Sequence, residues 1–265
     1  MRITSLQNET IKEAVRLRNR KERDETGLFI IEGYRELKRA VDAGVQLEAL
    51  FYCPSMFLDS GARRLLEQVG DLCIECLELV FQKISYRDSP DGIIGVARQM
   101  NRSLSDLDTI FATKTNPFFV VAESIEKPGN LGTILRSCDA AGVDAVLVCD
   151  PTTDIYNPNV VRSSMGTLFT IPVIQATSAE VLELLKEKGI SIAATTPRAK
   201  AVYTETDLTG PVAIVVGAEQ NGLSDAWMKE ADIQMLIPMH GVADSLNVAS
   251  ATTLVLYEVV RQRKA

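Results

Sequence analysis

Three short stretches each gather polar side chains able to do chemistry, and each directly follows an apolar run. In the first, residues 122–140, Asn130 sits where a helix begins, a position suited to capping. Leu131, Leu135, Cys138 and Gly142 line the buried stripe of that helix and turn Arg136 away from the core. The second, residues 215–223, is a small-residue turn at Gly217 and Ala218 that lets a ligand approach the backbone. Glu219 at its edge is either a site carboxylate or a salt-bridge partner. In the third, residues 237–251, a helix rich in small residues leaves a loop, and its first turn offers free N–H groups to an anion or a capping side chain. Ser245 suits that cap, whereas Asn247, inside the first turn, is a poor helix former and harder to explain structurally.

Other chemistries are excluded by what is missing. No two of the sixteen glycines stand two apart, so a G-x-G-x-x-G dinucleotide loop is absent. No glycine precedes a lysine, which excludes a P-loop. The single histidine, His240, leaves little room for a Ser-His-Asp or metal-dependent hydrolase. Cys73 and Cys76 form one C-x-x-C, but a structural zinc needs four ligands and no second pair exists, so no metal is expected. They read as alternating side chains of a short strand.

The elements that must position these residues alternate in the second half. Residues 118–122, 145–149, 171–174, 190–194, 212–216 and 235–238 are apolar runs of buried-strand type. Helical patterns fall at 131–141, 157–165, 179–187 and 246–261. Such alternation implies a mostly parallel sheet covered on both faces, with ligands gathering beyond the carboxyl ends of its strands. The first hundred residues read as a smaller α/β unit. Its helices are expected over about 8–21, 34–43 and 62–69, and its strands near 28–33, 47–53, 72–77 and 93–97. Periodicity weakens over residues 98–115, which gives a domain 1–100, a linker 101–114 and a domain 115–265.

At 265 residues the chain has ordinary globular composition. No apolar run is long enough to cross a bilayer, so no membrane partner is expected and a cytoplasmic protein follows. Its five scattered cysteines read as reduced thiols. A net charge of −7 argues against binding nucleic acid by bulk charge. Lys12, Arg16, Arg18, Arg20, Lys21 and Arg23 nevertheless form a local patch opposed only by Glu13 and Glu22, able to meet phosphates or simply to be a solvated face.

In order, spacing and all five polar residues, the three stretches resemble the motifs of the SpoU (TrmH) family of SPOUT methyltransferases. Segments 12–33 and 81–96 resemble that family's N-terminal substrate-binding domain. The resemblance implies an α/β C-terminal SPOUT domain with a deep trefoil knot, beside a small α/β, L30e-like, RNA-binding domain. It further implies a homodimer and transfer of a methyl group from S-adenosylmethionine to a 2′-hydroxyl of RNA. Ribosomal RNA of the large subunit is the expected substrate, with transfer RNA, or a non-catalytic RNA-binding scaffold of the same fold, as alternatives.

By the same resemblance Asn130, Arg136, Glu219, Ser245 and Asn247 are catalytic. Thr195, Thr196, Gly217, Glu219, Ile237, Met239 and Leu246 would line the cofactor pocket, and Lys12 to Arg23 would hold RNA. His240 and Cys138 receive no catalytic role. A guanidinium holds its proton too tightly to be a comfortable base. Arg136 is therefore expected to bind the phosphate beside the target ribose and stabilise the developing alkoxide.

Overall fold

The β-branched runs become strands and the periodic stretches become helices, in two sets that the chain visits alternately. In the computed structural model, which describes residues 1–264, one unit comprises Met1–Asn101 with Asp154–Thr170. The other comprises Arg102–Thr153 and the chain from Ile171 onward.

The first unit runs β1 (Arg2–Ile3), α1 (Glu9–Arg16), α2 (Arg20–Thr26), β2 (Leu28–Glu32), α3 (Tyr34–Asp42), β3 (Leu47–Tyr52), α4 (Ala62–Val69), β4 (Cys73–Cys76), α5 (Glu78–Ile84) and β5 (Ile93–Arg98). Its sheet has the order β1-β4-β3-β5-β2 and is mixed, with β5 antiparallel to both neighbours. Ile11, Phe51, Phe81, Ile84 and Ile94 form the heart of one core cluster. The helix expected over 8–21 is two helices, because Asn19 is extended and opens α2 afresh. The short α5 and β1 carry too few residues for a periodic signal.

The second unit runs α6 (Asp108–Thr113), β6 (Phe118–Glu123), α7 (Pro128–Ala141) and β7 (Ala145–Cys149); after α8 (Pro158–Ser163) it resumes with β8 (Val173–Ala176) and α9 (Ser178–Glu187). It continues through β9 (Ser191–Thr195), β10 (Ala201–Val202), β11 (Val212–Val216), α10 (Asp225–Glu230), β12 (Ile233–Leu236) and α11 (Val248–Lys264). The seven strands take the order β10-β12-β9-β11-β6-β7-β8, and every pair is parallel. Burial on both faces explains why β7 and β11 are apolar throughout, and β6 up to Glu123 at its carboxyl end, rather than alternating. Phe119, Leu147, Val215 and the lone Trp227 sit in the core.

Residues 101–114, expected as a linker, are structured. Leu107 is buried and Phe111 packs its ring 5.6 Å from that of Phe119. Leu104, Leu107 and Phe111 make a helical stripe, but one too short to stand out in a window of eleven residues or more.

The segment 154–170, which the sequence pattern places in the second half, packs into the first unit. Phe29 lies 4.6 Å from the ring of Tyr156 and 6.1 Å from that of Phe169. Arg23, only 1% exposed, reaches Asp154 through Nε and Nη2, both at 2.7 Å. Its Nη1 donates to the carbonyls of Leu17 and Arg18 at 2.8 Å. Gly166 has φ +85°, and a Cβ there would stand 3.1 Å from the α3 backbone at Glu36, so the turn after α8 lies flush on α3. Arg39 donates to the Met165 carbonyl and pins the turn.

Candidate active site

Because the sheet of the second unit is parallel, the loops after β6, β9, β11 and β12 all leave the same edge. Three of them, with Lys127 from the fourth, enclose a cavity of about 510 Å³. Thr195, Thr196, Pro197 and Arg198 line it after β9, residues 216–223 after β11, and Ile237, Met239 and residues 244–248 after β12. Leu223, Met228 and Ile237 give it an apolar side, as ligand pockets of this size commonly have.

One hydrogen-bonded chain ties three loops together. Asn130 Nδ2 donates to Glu219 Oε1 at 2.6 Å, and Asn247 Nδ2 donates to Asn130 Oδ1 at 3.0 Å. Glu219 also accepts from the backbone N–H groups of Glu126 at 3.0 Å and Lys127 at 3.3 Å. Burial pushes the Glu219 carboxyl upward, but these backbone and amide donors outweigh it and hold the group below the ordinary carboxylate range. Glu219 is therefore an anion with its lone pairs engaged, an organiser of neighbouring groups rather than a free base.

Two capping expectations are corrected by this geometry. Pro128 starts α7 earlier than the pattern suggests, so Asn130 lies in the first turn and its side chain is free to meet Glu219. Asn247, not Ser245, caps α11, accepting from Ala249 N at 3.0 Å and Ser250 N at 3.4 Å. The poor helix former stands before the helix, which resolves its apparent awkwardness.

Gly217 is small for a different reason from the expected one. A Cβ there would lie 2.3 Å from the backbone carbon of Gly222, so the glycine lets its own loop close on itself. Thr195 Oγ1 is buried with no hydrogen-bond partner among the described residues, and Thr195 lines the cavity. An unpaired buried hydroxyl is costly unless a ligand or water completes it.

Residues 117–257 match the SpoU rRNA Methylase family, and residues 8–95 match the MRM3-like substrate binding domain. The chain belongs to the SpoU rRNA methylase family. It is 33% identical over 254 residues to the 23S rRNA (uridine(2479)-2′-O)-methyltransferase of Streptomyces viridochromogenes, covering 93% of this chain and 87% of that one. A solved RNA 2′-O ribose methyltransferase matches over 100% of both chains at 42% identity and TM-score 0.87. An AdoMet-bound rRNA methyltransferase from Sinorhizobium meliloti matches over 98% of this chain and 97% of that one, at 32% identity and TM-score 0.89.

In this SpoU-family chain Asn130, Glu219 and Asn247 come together. Ser245 lines the same cavity without joining the hydrogen-bonded chain. Arg136 is exposed and does not line the cavity, and its guanidinium makes no hydrogen bond or ion pair among the described residues. It stands six positions beyond Asn130, about 9 Å along the helix axis. Thr195, Thr196, Gly217, Glu219, Ile237, Met239 and Leu246 all line the cavity. Lys127, Arg198 and Asp244 line it as well. Their signal was available, since each lies in a loop after one of the strands, but no spacing rule singled them out. Cys138 is buried, its thiol pushed up by desolvation.

The basic patch divides. Arg23 is buried in its ion pair, and Arg18 Nη2 donates to the carbonyls of Lys83, Ile84 and Ser85 at the end of α5. Neither guanidinium is available to a phosphate, which corrects the expectation for both. Both are spent on carbonyls, or on an acid distant in sequence, that a helical wheel cannot foresee. Lys12 and Arg16 pair with Glu9, Arg20 with Asp24, and Lys21 with Glu25, all on exposed surface where such pairs are weak.

Among the described residues no three His, Cys, Asp or Glu side chains gather as a metal site. Cys73 and Cys76 share β4, and burial pushes the Cys76 thiol up to about 12. No described helix is long and apolar enough to cross a membrane.

Proposed function

We propose that this chain methylates the 2′-hydroxyl of a ribose in ribosomal RNA of the large subunit, with S-adenosylmethionine as donor. Family membership supports the reaction class, and the observation that carries the site is the chain Glu219–Asn130–Asn247 beside a cavity at the carboxyl edge of the sheet. The residues present fit such a donor. A nucleoside-sized hollow has an apolar side, and Thr195 Oγ1 waits inside it without a partner. Thr195, Thr196, Gly217, Ile237, Met239 and Leu246 would hold it. When bound, the donor supplies a sulfonium-borne methyl group open to displacement.

The protein's share is positioning and charge stabilisation, since the attacking ribose oxygen must be held in line while it loses its proton. Asn130, fixed at both ends of its amide, holds the first turn of α7 against Glu219 and the start of α11. Arg136, unpaired and exposed, binds the phosphate beside the target ribose and stabilises the alkoxide. Ser245, on the cavity wall, supports the same constellation. Arg136 stands away from the cavity of its own chain, which supports a homodimer in which each subunit completes the other's site. Leu254 and Tyr257, exposed on α11 with Leu246 just before it, supply an apolar face for that association.

The order of strands supports the deep trefoil knot. β12 follows β11 in sequence but pairs with β9 on its far side, and α11 then packs against α7 and β11. The first unit is the RNA-holding domain, with Lys12, Arg16, Arg20 and Lys21 still at its surface, and the protein works in the cytoplasm. Kinetics of Arg136→Lys across pH test the mechanism. Methyl transfer falls by about 10²-fold or more with S-adenosylmethionine binding intact, whereas activity near wild type would remove Arg136 from the reaction.

A further inference from the structure

The first unit carries an exposed aromatic ring, a half-buried amide and exposed basic side chains outside the basic segment 12–23. Tyr86 is 43% exposed, and its hydroxyl accepts a hydrogen bond from Asn159 Nδ2 at 3.1 Å. Its backbone N–H donates to Glu32 Oε2 at 2.8 Å, and Ser85 Oγ donates to the other oxygen of that buried carboxylate. Next in the chain, Arg87 donates to the Glu32 carbonyl and to Glu36. The aromatic ring is thus held from both ends while a large part of it faces water.

Arg162 follows Asn159 by three residues on α8, which puts the two on one face. Arg162 is exposed, and its guanidinium makes no hydrogen bond or ion pair among the described residues. Arg35, exposed on α3, has its guanidinium 3.8 Å from Met165 Sδ, a weak acceptor, and feels the neighbouring Glu36 carboxyl only through space. The acids Glu32 and Glu36 of the same region are buried and already engaged. Asp88, two residues past Tyr86, is the exposed acid of that loop. α8 is a firm base for the strip, because its following turn is flush on α3 and held by Arg39.

We infer that Tyr86, Asn159, Arg162 and Arg35 form a contact strip for single-stranded RNA. An unstacked base lies on the Tyr86 ring, the Asn159 amide meets a base edge or ribose hydroxyl, and Arg162 and Arg35 hold the flanking phosphates. A fixed aromatic face with exposed guanidinium groups in the same unit is the chemistry that recognises unpaired nucleotides. The inference rests on the reading of this chain as an enzyme acting on RNA. It assigns RNA contact to Asn159 and Arg162, which lie within the methylase match by sequence, yet in the first unit by packing.

The test is binding of the full chain to a mixed-sequence 12-nucleotide single strand and to a 12-base-pair RNA duplex, by fluorescence anisotropy over a salt series. The single strand is expected to bind more tightly. Tyr86→Leu weakens it on the order of tenfold, while Tyr86→Phe keeps the ring and stays within about threefold of wild type. Arg162→Gln lowers the slope of log affinity against log salt by about 0.7. Arg63→Gln, an equal charge loss on α4, leaves the slope unchanged. Thermal denaturation followed by far-UV circular dichroism, unchanged in every variant, verifies folding. Wild-type RNA binding with all strip variants matching it would overturn the strip alone, and would leave the face to a protein partner. A wild type that binds neither RNA would overturn the strip together with the RNA reading.

Discussion

Replacing Glu219 by glutamine separates an organising anion from a general base. Oε1 accepts from Asn130 at 2.6 Å and Lys127 N at 3.3 Å, and Oε2 accepts from Glu126 N at 3.0 Å. An amide offers one oxygen, so in either orientation its NH₂ confronts a donor. The better orientation keeps the oxygen at Asn130 and strands the Glu126 N–H. A hydrogen bond to a charged group contributes about 1.5–3 kcal/mol, and a stranded buried donor costs about 1–3 kcal/mol. These overlap, so the expected loss is about 2–4 kcal/mol. The lone Trp227, fully buried in the same unit with Nε1 donating to Ser178 Oγ, reports the unfolding by fluorescence in urea. The pH dependence follows from the lowered carboxyl. Its contribution is fully present above the unfolded value of about 4.5 and is lost as pH falls through the lower folded value. The difference between wild type and Glu219→Gln should therefore be flat across the neutral range and shrink only in acid. A loss below about 0.5 kcal/mol, well under the hydrogen-bond terms, or a difference that changes through neutrality, would refute the organising role.

Arg23→Met strands the buried Asp154 carboxylate and should cost about 3–5 kcal/mol in thermal denaturation, with Asp154→Leu added to it recovering most of the loss. Gly217→Ala drives a methyl into the Gly222 backbone; calorimetric titration should show at least tenfold weaker S-adenosylmethionine binding, with about 1–3 kcal/mol of stability lost. The double substitution Leu254→Glu with Tyr257→Glu should convert a dimer to a monomer in sedimentation velocity, and a monomeric wild type would end the homodimer proposal.

The parallel sheet was legible in the sequence because strands buried on both faces are apolar at every position, as Ala145 to Cys149 shows. So was the edge where the cavity opens, since polar residues follow those runs. The wiring inside the site was not legible. Nothing in the pattern says that Pro128 starts α7, and hence that Asn130 turns its amide to Glu219 instead of capping. Arg18 and Arg23 read as surface cations by helical spacing, yet their partners lie tens of residues away or on backbone carbonyls. Charge counting cannot separate a guanidinium that meets solvent from one that satisfies a helix end. The strip at Tyr86 and Arg162 escaped notice for the same reason, because it is assembled by tertiary packing from segments far apart in sequence.

The interrupted course of the first unit bears on its birth at the ribosome. Its sheet is complete once β5 has emerged, yet Asp154, Tyr156 and Phe169, which cover Arg23 and Phe29, come 53 to 68 residues later than Asn101. At roughly 5–20 residues per second that is a wait of about 3–14 seconds. Through that interval an unpaired guanidinium and an aromatic flank stand open on the nascent chain. The N-terminal module therefore cannot mature before much of the following one has been synthesised. Grafted alone onto another enzyme at its apparent sequence boundary, it would arrive unfinished.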